Sequence, residues 1–464
     1  HIAVRQIRPR PLQGDSVVEV HLRNRALSVA GRLDRLPISS FHRDIVRLLA
    51  YIFFFELGDL NSFAFAAPAV RQAWGLNIDT ISFITSASFV GMFLGSTVGG
   101  WLSDRMGRKR ALVLTTIWYS GFSFLNAFAW DVPSLFLTRL LTGVGLSSMT
   151  VIAMTYISEM FPARIRGSYQ AWILTIGLCG IPVTAYVARF IIPLGPWGWR
   201  AVFVWGSLAI LFPLFARRLE ESPRWFENQG RFADAEAAME RIEARVTRET
   251  GTLPPVQASP IATARAGGFR ELIASGSLGR LILLMSIWTC QTLGIYGFLS
   301  WVPTLLVEHG FSVVRSLEQS SAMSIGAVPG AWIASKLSDR WERKSLIGIV
   351  AVAIAVCGLS YGLSFRTLTI VIFGFLVAMG QQVFAALLYA YTPECFPTVV
   401  RNTGTGLSYG MGRLANGLVG PFIVAYLFQR YGYSTVFAYI ALCWALVAIL
   451  VVTFGPKTRG RALA

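Results

Sequence analysis

GWLSDRMGRK, residues 100–109, and SKLSDRWERK, residues 335–344, decide the fold when they are laid against each other. They pair Asp104 with Asp339, Arg105 with Arg340, and Arg108-Lys109 with Arg343-Lys344, all at one offset of 235 residues. The same offset carries YISEMFPARIR from Tyr156 onto YTPECFPTVVR from Tyr391. Glu159, Phe161, Pro162 and Arg166 thereby match Glu394, Phe396, Pro397 and Arg401, and Pro68 matches Pro303. Three matches in one register mark an internal duplication, so the chain is two units of like topology joined by a connecting stretch.

Outward from those stretches the units are mostly apolar. Of 464 residues, 54% are apolar and only 14% charged, which excludes a disordered chain and argues against an ordinary soluble enzyme. Apolar runs of about 20 residues, enough to cross a ~30 Å hydrocarbon core as a helix, follow one another almost to the C-terminus. Twelve spans are predicted, near 48–70, 81–102, 111–130, 134–156, 168–191, 200–219, 280–305, 319–338, 345–364, 367–391, 403–428 and 434–455. The expected fold is an all-α membrane protein with twelve transmembrane helices in two pseudo-symmetric six-helix halves. Its parts are a basic segment 1–47, a first half 48–219, a linker 220–279, a second half 280–455 and a tail 456–464.

A formal charge of +17 would point to nucleic acid in a soluble protein. Here the basic residues crowd one side of the predicted spans. The opposite side holds six, Arg71, Arg189, Arg200, Arg315, Arg366 and Arg430, while Arg139 and Arg413 lie inside spans. The positive-inside rule places both termini in the cytoplasm of a multi-pass protein of the cell's inner membrane, and no nucleic-acid partner is needed.

The remaining features are quieter. In the linker, Phe232, Ala235, Met239, Ile242 and Val246 recur at helical spacing and predict an amphipathic brace. Residues 250–268, with Pro254-Pro255, Pro260 and Gly267-Gly268, read as a flexible strap. Residues 1–45 are Arg-rich without a signal peptide's apolar core, and read as a cytosolic lead-in suited to anionic lipid. A chain that opens on His1 rather than Met reads as trimmed or edited. Cys179, Cys290, Cys357, Cys395 and Cys443 show neither disulfide nor zinc spacing, and His1, His21, His42 and His309 all fall outside the apolar runs. No metal cluster, phosphate loop or nucleophile–base pair is present, so no cofactor and no enzyme are expected. A monomer is expected.

Gly100, Asp104, Arg105, Gly107, Arg108 and Lys109 form a G-x-x-x-D-R-x-G-R-K loop that resembles the signature of the major facilitator superfamily, over about residues 48–464. In the second copy Ser335 and Glu342 replace both glycines. The resemblance implies the major facilitator fold and transport by alternating access, one half rocking against the other about a central site. The loops then read as a charged latch on the cytoplasmic face, built from Asp104, Arg105, Arg108, Glu159 and Arg166 and their copies Asp339, Arg340, Glu394 and Arg401. Asp104 is expected to accept bonds from Arg105, Arg108 or a nearby helix N-terminus.

An ionisable side chain at mid-membrane costs about 2.5–3.5 kcal/mol on insertion scales, so one that persists is a functional candidate. Asp59 lies near the middle of span 1, with Glu56 almost one turn before it; Arg139 lies in span 4 and Arg413 in span 11. A buried carboxylate beside a guanidinium balances desolvation against attraction, and a conformational change can tip that balance. Asp59 and Arg139 match the proton-responsive pair of sugar porters and related symporters by motif context, and Glu56 joins them as a proton-coupling candidate. The stretch Tyr391 to Arg413 is similar to that of organic-ion and of bacterial nicotinate and aromatic-acid transporters, whose span-11 arginine faces the cavity. The planar fork of Arg413 suits a carboxylate. Trp288, Gln291, Tyr296, Gln382, Tyr389 and Asn416 are the expected cavity wall, fitting a flat ring with one charged group.

The reading is proton-coupled uptake of a small aromatic or heteroaromatic monocarboxylate such as nicotinate. A sugar or polyol symporter is the alternative. ESPRWFENQGRFADAEAA from Glu221 and PKTRGRAL from Pro456 resemble sugar-porter signatures, and Gln291 falls on an expected glutamine. Against it, Cys290, Tyr296 and Ile181 stand where sugar porters carry polar groups. A receptor that kept the fold without transport is a second alternative.

Overall fold

The structure is a computed structural model that describes residues 29–256, 269–337, 342–364, 366–397 and 400–457. Helices among the described residues group into twelve passes, numbered here as spans. Spans 1 to 4 are single helices, Ser40–Trp74, Ile78–Met106, Arg108–Asn126 and Val132–Met160. Span 5 is broken into Ala163–Leu178 and Gly180–Ile191, and span 6 starts as Gly198–Gly206 and continues through short turns to Arg218. Span 7 is Leu278–Leu299 followed by Val302–Glu308, and span 8 is Val313–Ser324 with Ala327–Leu337. Spans 9 and 10 are Arg343–Gly362 and Thr367–Glu394. Span 11 is Arg401–Leu418 with Gly420–Tyr431, bent by 41°, and span 12 is Tyr433–Phe454.

Span 3 is the least apolar of the first four, and its packing explains why it still suits a membrane. Thr115, Thr116, Tyr119, Ser120, Ser123 and Asn126 are buried along one face, while Leu114, Ile117, Trp118 and Phe124 are exposed on the other. The Thr115 and Thr116 hydroxyls donate to the carbonyls four residues back, at 2.8 and 2.7 Å, so their polarity is satisfied inside the helix.

The duplication is built into the packing. A Cβ on Gly91 would overlap the Leu140 carbonyl oxygen and one on Gly95 the Val144 carbonyl oxygen. At the same offset of 235, a Cβ on Gly326 would overlap the Phe375 carbonyl oxygen and one on Gly330 that of Met379. Spans 2 and 4 therefore approach as spans 8 and 10 do, through small residues that let backbones meet.

The halves touch at the end remote from the linker. Arg71 pairs there with Glu308, and Arg189 with Glu318 at 3.0 Å; these are the ion pairs between halves among the described residues. Phe65, Ile181, Ala185, Ala188 and Val202 of the first half share one apolar cluster with Leu317 of the second.

The linker helix runs Phe232–Thr250 and buries Ala235, Ala238, Met239, Ile242 and Val246. Met239, Ile242 and Val246 join Val29, Leu33, Leu36 and Phe41 in one core with span 1. Arg32 donates to Glu243 at 2.7 Å and to Glu236 at 2.7 Å, Arg35 donates to Glu243 at 2.6 Å, and Arg245 donates to Asp44 at 2.6 Å. Span 1 accordingly starts as a helix at Ser40, ahead of the apolar run at 48, because linker charges neutralise its first two turns. Of the lead-in 1–45, residues 1–28 lie outside the described residues and the remainder is held on the linker helix by the pairs of Arg32, Arg35 and Arg43; of the strap 250–268, Thr250 ends the linker helix and 257–268 lie outside the described residues.

Candidate functional site

Asp59 and Arg139 meet inside the first half. Arg139 does not reach toward headgroups: it is 2% exposed, its guanidinium lies 5.7 Å from the Phe63 ring and 5.9 Å from the Phe203 ring, and its Nη1 stands 3.9 Å from Asp59 Oδ2. That separation is an ion pair without a hydrogen bond. The other carboxylate oxygen of Asp59 accepts from Ser123 Oγ of span 3 at 2.5 Å and from Ser62 Oγ at 3.4 Å. A Cβ on Gly206 of span 6 would overlap Asp59 Oδ1, so the carboxylate needs a glycine opposite it. Asp59 Oδ2 and Arg139 Nη1 and Nε are buried without hydrogen-bond partners. Asp59 is thus sealed among spans 1, 3, 4 and 6 and does not border the space between the halves.

One turn back along span 1, Glu56 is buried, and its Oε1 accepts from Thr150 Oγ1 of span 4 at 2.9 Å while Oε2 has no partner. Arg413 of span 11 reaches across the divide, donating from Nη1 to Ser147 Oγ at 2.7 Å, with its guanidinium carbon 4.5 Å from the Tyr409 ring. It is 9% exposed, and among the described residues no carboxylate lies within ion-pair distance of it. Ser147 and Thr150, which bring Glu56 and Arg413 to one face of span 4, give no signal in the sequence, because hydroxyls are ordinary in membrane helices.

The expected cavity wall divides. Trp288, Tyr389 and Tyr409 form one aromatic group, with Trp288 edge-on to both tyrosines at 5.0 Å and its Nε1 donating to Thr392 Oγ1 at 3.0 Å. Tyr389 is 51% exposed although Trp288 and Tyr409 stand against it. Tyr296 meets Phe89 of span 2 edge-on at 4.5 Å, closing the space from the first half's side. Gln291 is buried with its carbonyl oxygen unpartnered. Two residues lie against glycines. Asn416 is 2% exposed and lies against Gly420 at the bend of span 11, and Gln382 has its Cβ beside Gly330 of span 8. Neighbouring Gln381, not singled out by sequence, is buried with both amide atoms unpartnered.

The linker-end charges form pairs within each half. Arg108 donates from Nε and Nη2 to Glu159 at 3.0 and 2.8 Å and from Nη1 to Asp104 at 2.8 Å. Its copy Arg343 pairs with Glu394, in the same register. Arg105 does not meet Asp104: its guanidinium lies 4.9 Å from the Trp101 ring, since it emerges on the opposite side of the turn. Arg166 donates to the Phe161 carbonyl at 3.4 Å rather than to Glu159, which Arg108 already occupies. Nor does Asp104 cap span 3. Glu221 from the linker does, accepting from the backbone N–H of Arg108 at 2.7 Å and of Lys109 at 3.0 Å. Gly107, at φ 96°, leaves room for that carboxylate, which a Cβ would crowd. Glu221 was legible only as part of the quoted linker stretch. Arg401 keeps its place at the start of span 11, while Asp339 and Arg340 lie outside the described residues.

Comparison with known proteins agrees with this geometry. The family described as Sugar (and other) transporter matches residues 46–464. YyaJ of Bacillus subtilis (strain 168), named for metabolite transport, is 42% identical over 94% of this chain and 97% of its own. The niacin transporter NiaP of Acinetobacter baylyi is 30% identical over 94% and 99%. The xylose transporter XylE from E. coli, solved in a partially occluded inward open conformation, superposes with a TM-score of 0.72 at 20% identity, covering 92% of this chain and 100% of that one. With twelve passes in two duplicated halves and a family match over nearly its whole length, the chain belongs to the sugar (and other) transporters of the major facilitator superfamily, and it is a membrane transporter and not an enzyme.

Proposed function

We propose that this transporter takes up a small aromatic or heteroaromatic monocarboxylate together with a proton across a bacterial inner membrane, with both termini cytoplasmic. The observation that carries the reading is Arg413: a guanidinium in mid-membrane, at the junction of the halves, held by one hydroxyl and with no carboxylate within ion-pair distance among the described residues. A buried charge of that kind needs an anionic partner. The aromatic group of Trp288, Tyr389 and Tyr409 beside it offers ring faces to a flat substrate. The relative from Acinetobacter is named for niacin.

Asp59 and Arg139 are the coupling pair. A proton on Asp59 Oδ2 removes one charge, frees Arg139, and lets the first half rearrange. The Arg108–Glu159 and Arg343–Glu394 pairs stiffen the linker end of each half while the far end opens and closes. The proton on Asp59 by itself offsets the charge of one monoanion, and to that pair of charges the membrane potential, worth about 2.3 kcal/mol per charge per 100 mV, contributes nothing. Sugar uptake is the second reading, favoured by the unpartnered amides of Gln291 and Gln381.

Thermal-shift titration of the purified transporter separates the two, because a ligand that binds only the folded form raises its apparent stability. Nicotinate or benzoate is expected to stabilise the wild type. Arg413→Gln is expected to weaken that binding about 10- to 100-fold, the worth of a charge-assisted contact. Stabilisation by a hexose and by no carboxylate overturns the reading.

A further inference from the structure

Glu56 and Arg413 are tethered to hydroxyls one turn apart on the same helix, Thr150 and Ser147 of span 4. Side chains three residues apart on a helix stand about 5–6 Å apart at Cβ. The acid and the base therefore share one face of span 4, approaching it from spans 1 and 11 with no ion pair between them. Glu56 is 3% exposed, and its Oε2 is free of any partner.

We propose that Glu56 is the resident counter-charge of the anion site: it balances Arg413 in the empty transporter, and an arriving carboxylate displaces it in that role and leaves it protonated. The inference rests on the reading of Arg413 as the anion anchor. Its physical basis is charge balance in a poorly solvated site. One guanidinium can neutralise one carboxylate, and a second carboxylate placed within a few ångströms is a like charge that disfavours ionisation of both. The substrate, held by the fork of Arg413, keeps its charge. Glu56, whose Oε2 has no donor to hold it, takes up the proton. The proton enters with the carboxylate and leaves with it on the other side, so Glu56 carries a second proton beside the one on Asp59, and atoms and charges balance over the cycle.

The groups that face Glu56 are few. Arg413 approaches from span 11, Asp59 lies on its own helix, Tyr119 comes from span 3 and Tyr296 from span 7, with Thr150 on span 4. Apart from Asp59, none of these ordinarily changes charge between pH 5 and 8. The duplication supplies a natural control, since Gln291 stands at the position equivalent to Glu56 in the second half. An uncharged amide of the same shape is thus already accommodated by this fold.

The test is calorimetry of nicotinate and benzoate binding to the full chain in nanodiscs, repeated in buffers of different ionisation heat so that proton uptake is counted. Nicotinamide serves as the uncharged control. In Asp59→Asn, which removes the other acid, about one proton is expected to be taken up per carboxylate bound at pH 8 and none with nicotinamide. In Asp59→Asn/Glu56→Gln that uptake is expected to vanish, and the carboxylate is expected to bind several-fold more tightly at pH 8 with a flattened pH profile. Should the double variant fail to fold, infrared difference spectra of Asp59→Asn alone decide, because protonation of Glu56 must raise a carboxylic acid band that nicotinate evokes and nicotinamide does not. Unchanged proton uptake without Glu56, weaker binding in Glu56→Gln at pH 8, or no such band overturns the proposal while leaving the Arg413 reading intact. Carboxylate binding that is absent, or insensitive to Arg413→Gln, overturns both.

Discussion

In the first half Asp59, Arg139 and Ser123 make a buried polar knot; at the equivalent positions of the second half stand Gly294, Gly374 and Gly358. The emptied space is filled at two of the three positions, while a Cβ on Gly358 would meet nothing within 4 Å. A Cβ on Gly294 would crowd the indole nitrogen of Trp444, and one on Gly374 would overlap the sulfur of Met323, so two large side chains fill what the charges occupy in the other half. The backbone contacts repeat faithfully, at Gly91 and Gly95 against Gly326 and Gly330, and so does the linker-end pair of Arg108 with Glu159 and Arg343 with Glu394. The halves thus share their scaffolding and differ in the charge at their centres. Such a division puts the proposed proton-responsive pair on one side of the pathway and an uncharged wall on the other.

The largest effect should come from erasing that asymmetry. In Asp59→Asn the first half becomes uncharged at its centre like the second. Each proton that crosses with the substrate concentrates it about tenfold more per unit of pH gradient. Proteoliposomes carrying the variant are expected to lose that factor in concentrating labelled substrate, while counterflow exchange continues. Undiminished uphill uptake would remove Asp59 from the coupling.

A smaller difference should separate the repeated linker-end pairs. The Arg108 side chain is 7% exposed and also holds Asp104, whereas that of Arg343 is 23% exposed. Breaking a buried pair costs about 3–5 kcal/mol and a more exposed one about 1 kcal/mol or less. Arg108→Ala should therefore lower the thermal midpoint in detergent well beyond Arg343→Ala. Equal losses would mean that the two copies carry the same load despite the Glu221 cap that serves only the first.

The least effect is expected where the linker clasps the first half. Glu249 is pushed down to about 2 by the backbone N–H of Ser40, which donates to it at 2.6 Å, and by the nearby Arg43 guanidinium. A carboxyl held below its unfolded value, about 4.3, stabilises the fold above that value and loses the contribution as pH falls toward 2. Glu249→Gln should thus lower the midpoint slightly at pH 7, and the gap from wild type should narrow between pH 5 and pH 3. A gap that does not change with pH would show that the carboxylate charge is not what holds span 1 to the linker helix.

Much of the architecture could be read from the chain because its signals are periodic or costly. Apolar runs report spans, a repeated register reports duplication, and a charge such as Asp59 or Arg139 is tolerated in mid-membrane only when something meets it. Partner choice is less legible. Arg105 turns to Trp101 and Arg166 to a backbone carbonyl, because which side of a turn an arginine leaves from depends on packing that spacing does not encode. Asn416 and Gln382 sit on helices that do border the central space, yet they face the bend of span 11 and the glycine of span 8. Glu221 is one acid in a polar linker until the fold delivers it to the start of span 3. Ser147, Thr150 and Gln381 are unremarkable in composition, and only their neighbours give them a role.

The seam at the far end is fastened by Arg71 with Glu308 and by Arg189 with Glu318, whose side chains are between 22% and 54% exposed. Fasteners that ions and water can reach are weak ones, screened by electrolyte and easily undone. A carrier must part that seam on every turnover, so its looseness sets how often the molecule can reset, and the saltiness of the medium bathing that face becomes a control on its pace.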